Sequence, residues 1–284
     1  MEYVETAAPV ALSRHVQCLW RLRDRDPSAS VHTVYPDGRC ELILHMGMPL
    51  QIQSAQGTWQ AQSQSLFAAQ TRQAIKLRAV GALDCLGVRL QPAASAALLR
   101  QADGGVFSPL SDLADGVHDL HRLDLPLAQA LQRSLAAGDD AVSPAFLAQL
   151  CERLGSIALD SRIERACALL DQALGCLPIG ALAETLGMSL RALQARFLAA
   201  VGLTAKEYAR IQRLQATIRE LDRGHTPLAQ IALSAGFADQ AHATRALRSF
   251  SGLTPAALRR ALKAERNGEL TLAMAAAFVR GTSR

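Results

Sequence analysis

A chain of 284 residues, half of them hydrophobic, can bury the cores of two ordinary domains, and this excludes global disorder. The formal charge of +5 is uneven: residues 160–266 carry 15 Lys and Arg against 9 Asp and Glu, whereas residues 1–159 carry 13 against 15. A basic second half on a mildly acidic first half fits a nucleic-acid reader joined to a different module. The opening MEYVETAAPV mixes acids with a proline, so no secretory leader is expected. No uncharged apolar run approaches the ~20 residues that span a bilayer, so no membrane partner is expected and the protein reads as cytoplasmic. Cys18, Cys40, Cys85, Cys151, Cys167 and Cys176 lie scattered, with no CxxC pair. That spacing fits neither a disulfide framework nor a tetrahedral zinc site, and no metal or cofactor is expected.

From about residue 10 to 92 the chain reads as strands. HVQCLWRL, ELILHM, LQIQ, IKLRAV and CLGVRL are short runs rich in Leu, Val and Ile, separated by turn chemistry. Pro36-Asp37-Gly38 is the strongest of these turns, because Pro fixes φ and Gly accepts the positive φ of a type II turn. A small barrel or sandwich follows. Within it Trp20, Arg21, His32, Tyr35, Arg39, Glu41 and His45 are the pocket-forming candidates. For Trp20 and Tyr35 core packing competes with ligand stacking, and Asp37 and Arg39 are most simply turn residues. The two His lack the His-x-His spacing of a metal site.

After Pro92 the pattern turns helical, over Ala93–Gln101, from a start at Ser108-Pro109-Leu110-Ser111 before Leu113, over Leu127–Leu135 and over Ser143–Leu154. Ser143 is the N-cap of the last helix and Pro144 its first residue. This helical connector packs on its own barrel or serves as a subunit interface. The domain boundary falls between Gly155 and Ser161. The chain thus divides into residues 1–157, β-rich to about 92 and then helical, residues 158–265, and a C-terminal tail over 266–284.

The second module contains one pattern twice. IGALAETLGMSLRALQARFLAAVGLTAKEY and LAQIALSAGFADQAHATRALRSFSGLTPAAL each give an apolar helix, a Gly turn, a capped second helix and Gly-Leu-Thr. Ile179, Leu182, Ala183 and Leu186 form a helical stripe that Leu228, Ile231, Ala232 and Ala235 repeat. Gly187 and Gly236 end these helices, Met188 and Phe237 plug the turn, and Ser189 and Asp239 cap the next helix. The offset between copies is 49 before the turn and 50 from the cap onward, so the second turn holds one extra residue. Thr204 caps a long helix between the copies, and Thr254-Pro255 starts a final one.

On these residues the region Ser161–Lys263 resembles the two-helix-turn-helix DNA-binding domain of the AraC/XylS transcription regulators. GFADQAHATRALRSFSGLTPAALRR is similar to that family's signature and LAETLGMSLRALQARF to its first unit. CLWRL, YPDGRCELILHMG and LGVRLQP resemble a sensor domain found in one subgroup. The resemblance implies an α+β protein: an N-terminal β-rich, barrel-like (cupin-like) domain with a helical connector, then an all-α domain of two helix-turn-helix units joined by a long helix. It implies two recognition helices entering successive major-groove segments of double-stranded DNA, roughly 34 Å apart.

The expected DNA-binding residues are Ser189, Leu190, Arg191, Gln194 and Arg196 in the first unit and Gln240, Ala241, His242 and Arg245 in the second. Arg reads guanine and Gln adenine bidentately. The family usually has Arg where Ala195 stands, with Arg196 displaced by one position, so the second unit is expected to carry at least as much specificity. Its aromatic core positions are here Ala243 and Leu247, and Thr217 replaces a small apolar residue of the linker helix.

The implied function is a sequence-specific transcription regulator, an activator with RNA polymerase as candidate partner. A small-molecule effector would bind at Trp20, Tyr35, Arg39, Glu41 and His45, and a homodimer is a further candidate. Two alternatives stand beside it: a ligand-independent regulator whose N-terminal half only dimerises, and a cupin-type enzyme fused to a DNA-targeting module. With no metal triad, nucleophile elbow or phosphate loop, the protein is not read as an enzyme.

Overall fold

The computed structural model describes residues 2–27, 31–99, 109–123, 127–129, 133, 144–155, 158–224 and 226–266. Among the described residues, ten strands form two antiparallel sheets. The six-stranded sheet has the order β1 (Glu2–Ala7), β2 (Val16–Asp24), β9 (Leu83–Leu90), β4 (Glu41–His45), β7 (Ser65–Ala68), β10 (Val117–Asp119). The four-stranded sheet has the order β3 (Val31–Val34), β8 (Ile75–Arg78), β5 (Gln51–Gln53), β6 (Trp59–Ala61). All five strand-forming runs of the sequence fold as strands. The additional strands, β1 above all, are polar or short, and their pairing rather than their composition makes them strands. Thus β1 is mostly exposed and pairs with β2 from Glu2↔Arg23 to Ala7↔Cys18.

Side chains alternate across the pleat, so the large sheet builds two cores at once. Cys18, Trp20, Leu22, Ile43 and Cys85 face the small sheet and fill the space between the sheets with Leu50, Leu66 and Leu77. Leu19, Leu42, Leu44, Val88 and Leu90 face the other way. That outer face is covered by a 3-10 segment over Pro92–Leu99, α1 (Leu110–Leu113), α2 (Leu120–Leu123) and α3 (Pro144–Gly155). The helix expected over Ala93–Gln101 is, in its described part, a 3-10 helix over Pro92–Leu99, buried along nearly its whole length; positions 100 and 101 lie outside the described residues. Most of the helix expected over Leu127–Leu135 lies outside the described residues.

The C-terminal region is all helical: α4 (Ser161–Gln172), α5 (Ile179–Thr185), α6 (Leu190–Val201), α7 (Ala205–Arg223), α8 (Leu228–Ser234), α9 (Gln240–Ser251) and α10 (Pro255–Arg266). The linker helix α7 starts on a complete capping box: the Thr204 hydroxyl accepts from the Glu207 amide and the Glu207 carboxylate accepts from the Thr204 amide. It stops at Gly224, in the left-handed conformation. Leu193, Phe197, Tyr208, Leu214, Ile218, Ile231, Leu247 and Phe250 share one core, and Tyr35 and Ala93 of the N-terminal region belong to it. Apolar packing therefore runs across the seam between the two regions. No described helix is long and apolar enough to cross a membrane.

Candidate nucleic-acid interface and the seam behind it

The two helix-turn-helix units superpose in their construction. Gly187 and Gly236 take φ of 61° and 69°, the left-handed geometry that ends α5 and α8 at little cost for glycine. The Ser189 hydroxyl then accepts from the Ala192 amide, and the Asp239 carboxylate from the His242 amide, so each second helix is capped by its own side chain. Leu182 with Ala183, and Ile231 with Ala232, are buried where the helices of each unit cross. Ala183 and Ala232 allow that close approach. The 49-to-50 shift of offset appears directly in the starts of α5 and α8 (179, 228) and of α6 and α9 (190, 240).

Burying that scaffold leaves the opposite face of each second helix in solvent. Ser189, Leu190, Arg191, Gln194, Ala195 and Arg196 are exposed on α6, as are Gln240, Ala241, His242 and Arg245 on α9. Besides the cap Ser189, two of these groups have partners within the chain. Arg196 forms an ion pair with Asp160 at 2.5 Å, which anchors it to the start of α4. The His242 ring stands edge-on to Phe237, with ring centroids 5.3 Å apart. Ala243 and Leu247 are fully buried, so at these two positions the core behind α9 closes without aromatic rings. The Thr217 hydroxyl donates to the Arg213 carbonyl one turn back, at 2.8 Å, so a buried polar group is satisfied where the family has an apolar one. Arg213 itself donates to the Gly175 carbonyl at 3.0 Å and lies over the Phe237 ring, while Lys206 is exposed.

The N-terminal candidates divide three ways. Trp20 lies in the space between the sheets, and its indole nitrogen donates to Glu41 at 3.2 Å. Glu41 also accepts from Arg89 at 2.8 Å, both being almost wholly buried, and Arg89 reaches Glu5 at 3.1 Å. A buried ion pair is stable only with its lone pairs and protons occupied, and this cluster meets that condition. His45, fully buried, has Cys85 Sγ 3.2 Å from Nδ1 and Gln62 Oε1 3.1 Å from Nε2. Burial pushes its pKa down to about 4, leaving it neutral near pH 7. Burial likewise pushes Cys18, Cys40 and Cys85 up to about 12, so these thiols stay protonated. Among the described residues no group of three His, Cys, Asp or Glu is placed to hold a metal ion.

Tyr35 and Arg39 lie instead on the seam. The Pro36–Arg39 turn presses on the linker helix: Gln215 donates to the Pro36 carbonyl at 2.5 Å and Gln212 to the Asp37 carbonyl at 2.9 Å. Arg39 donates to Asp171 of α4 at 2.9 Å and to the Tyr208 hydroxyl, which donates onward to Asp171 at 2.7 Å. Gly38, with φ of 78°, lies so close that a Cβ would meet the Tyr208 ring at 2.8 Å. Burial pushes the Asp37 carboxyl up to about 6, against the opposing pull of Arg89 and Arg39.

The docking role of these residues escaped sequence reasoning, which took Tyr35 and Arg39 as pocket candidates and Asp37 and Arg39 most simply as turn residues. One signal was present: Gln212 and Gln215 fall on the apolar stripe of α7, where a polar group must find a partner. A cavity of about 410 Å³ opens on the outer face of the large sheet near β1, with Val4, Leu19, Leu86 and Leu147 as apolar walls and Arg21 and Arg23 beside them. Trp20 also borders it, whereas Tyr35, Arg39, Glu41 and His45 do not.

Residues 182–261 match the model of a helix-turn-helix domain, and residues 5–104 that of a domain of unknown function (DUF6597). No curated protein matches. Among solved structures the chain is similar to ToxT from Vibrio cholerae, at 10% identity over 85% of this chain and 98% of that one, with a TM-score of 0.43. It is also similar to wild-type ToxT of V. cholerae strain SCE256 with an unsaturated fatty acid bound, at 11% identity over 85% and 93%, TM-score 0.41. A third is the AraC-like transcriptional activator CuxR, at 16% identity over 69% and 75%, TM-score 0.30.

The double helix-turn-helix construction defines a DNA-binding transcription regulator. The two family matches place a helix-turn-helix domain over residues 182–261 behind a β-rich domain over residues 5–104.

Proposed function

We propose that residues 158–265 read two adjacent DNA boxes through α6 and α9, and that residues 1–157 hold the control of this reading, exerted by a small molecule. The observation that carries the first part is the pair of capped helices whose scaffold faces are buried and whose reading faces, Arg191 with Gln194 and Gln240 with Arg245, stand in solvent. Because these residues differ between copies, the target is asymmetric within one chain. Ser189, Leu190, Ala241 and His242 complete the contact, and Arg196 serves it through its pairing with Asp160. The second part is supported by the seam, which ties the barrel to the linker helix between the two readers, and by the cavity beside Trp20. The reading extends to an activator that works in the cytoplasm beside RNA polymerase.

Footprinting with the purified chain on genomic DNA tests the first part: discrete sites with two adjacent boxes are expected, and uniform, sequence-blind protection would overturn it. A thermal-shift screen of the full chain against metabolites tests the second. A ligand that raises the Tm and alters the footprint is expected, and binding that leaves DNA affinity unchanged would sink ligand control.

A further inference from the structure

The five residues Gln70–Ala74, between β7 and β8, touch both recognition helices. The Gln70 side-chain amide donates to the carbonyl of Val201, the last residue of α6. The Ala74 amide donates at 2.9 Å to the carbonyl of Phe250, in the last turn of α9. Both acceptors belong to the helix-end carbonyls that have no partner within their own helix. With the offset of 50 between copies, Phe250 corresponds to Ala200, so the loop takes hold of the same turn of each unit.

Midway between these contacts, Arg72 reaches Glu207 of the α7 capping box at 2.7 Å. The loop is braced on its own side by Asp115, whose amide donates to the Gln70 carbonyl at 2.8 Å and whose carboxylate accepts from the Arg72 amide at 2.6 Å and its guanidinium at 2.5 Å. Gln70 is almost fully buried, and Gly202, beside it, leaves room that a Cβ would close against Leu110 and Gln70. Four residue steps span at most ~14 Å, so a short braced segment fixes how far apart the two helix ends can lie.

We propose that the Gln70–Ala74 loop is a positioning element for DNA recognition: by holding the last turns of both recognition helices, it sets the spacing between the two boxes the chain reads. Gln70 and Arg72 are positioning residues that touch no DNA, and the proposal rests on the two-box reading above. Spacing is then a property of the whole chain, and a signal that shifts the β7–β8 connection changes which spacing is preferred.

The test is in vitro selection with the full chain on DNA in which the length between boxes is varied, comparing wild type with Gln70→Ala/Arg72→Ala. One inserted base pair turns the second box by about 36° and moves it ~3.4 Å, and should weaken wild-type binding roughly tenfold or more. The double variant should lose less than about threefold, with base preference inside each box unchanged. If it keeps the wild-type penalty, or loses affinity by the same factor at every spacing, the loop is only domain glue and the proposal fails. Should the double variant not fold, Arg72→Ala alone, at a side chain 36% exposed, gives the same comparison. A wild type that selects single boxes would overturn the two-box reading itself, an outcome seen without any variant.

Discussion

Gly87 shows how closely a single position can be constrained in this protein. It faces Trp20 across the β2–β9 ladder, and a Cβ there would fall 1.9 Å from the indole ring. Gly87→Ala should cost about 1–3 kcal/mol through overpacking, read as a lower Tm together with a shifted Trp20 emission; an unchanged Tm and spectrum would count against the packing described. On the DNA side, Arg245 and Lys206 are both exposed cations with different expected consequences. Arg245→Ala should relax preference at one base position, worth about 1–3 kcal/mol. Lys206→Ala should weaken all sequences alike and flatten the salt dependence. A uniform loss for Arg245→Ala would remove its reading role. The caps, plugs and stripes behind these residues were legible in the sequence because they are local: a Ser or Asp three residues before the amide it caps is a short-range fact. The partners of Arg196 and His242 were not, since Asp160 lies 36 positions from Arg196 and the packing of Phe237 depends on how the turn closes.

At the scale of elements, α7 carries more than a linker. Its first turn is locked by Thr204 and Glu207, and Glu207 is also the end point of Arg72 from the N-terminal region. Arg72 and Thr204 hold the Glu207 carboxyl below its ordinary range although burial alone would raise it. Thr204→Ala should therefore destabilise by about 1 kcal/mol as a lost N-cap, measurable by urea unfolding of the full chain. A larger effect would show that the seam depends on the cap. The helices of the double unit were readable from periodicity and turn chemistry, as were the stronger strands. Strands such as β1 and β7 were not, because a strand at the margin of a sheet, or one of four residues, is defined by the neighbour it pairs with. The 3-10 form of Pro92–Leu99 has the same origin, in burial against α4 and α6 rather than in its Ala and Leu content.

At the scale of the molecule, two buried groups, Asp37 at the seam and His45 inside the β-rich domain, make stability depend on pH in opposing ways. Asp37, with its folded pKa raised to about 6, favours the protonated form: its contribution is full below its ordinary value near 4 and is lost as pH rises through about 6. His45, lowered to about 4, contributes fully above its ordinary 6.5, and this is lost as pH falls through about 4. Between pH 4 and 6.5 the two should partly cancel in the wild type. Asp37→Asn should then leave stability rising with pH, and His45→Gln should leave it falling, both read from chemical denaturation across that range. Identical pH profiles for the two variants would show that neither group is held as described.

What the sequence determined by itself was the repeat: two capped helix pairs with equal scaffolds and unequal exposed faces, and hence a double helix-turn-helix domain behind a β-rich domain. These features follow from spacing within some 20 residues, where backbone geometry leaves little choice. Only the tertiary structure decided that the Pro36–Arg39 turn is a docking surface, that the inside of the barrel is closed by Trp20, Glu41 and Arg89, and that Gln70–Ala74 spans both recognition helices. The seam contacts join residues more than 100 positions apart and those inside the barrel residues 21 and 48 apart, and no local pattern encodes which buried polar group will find which partner.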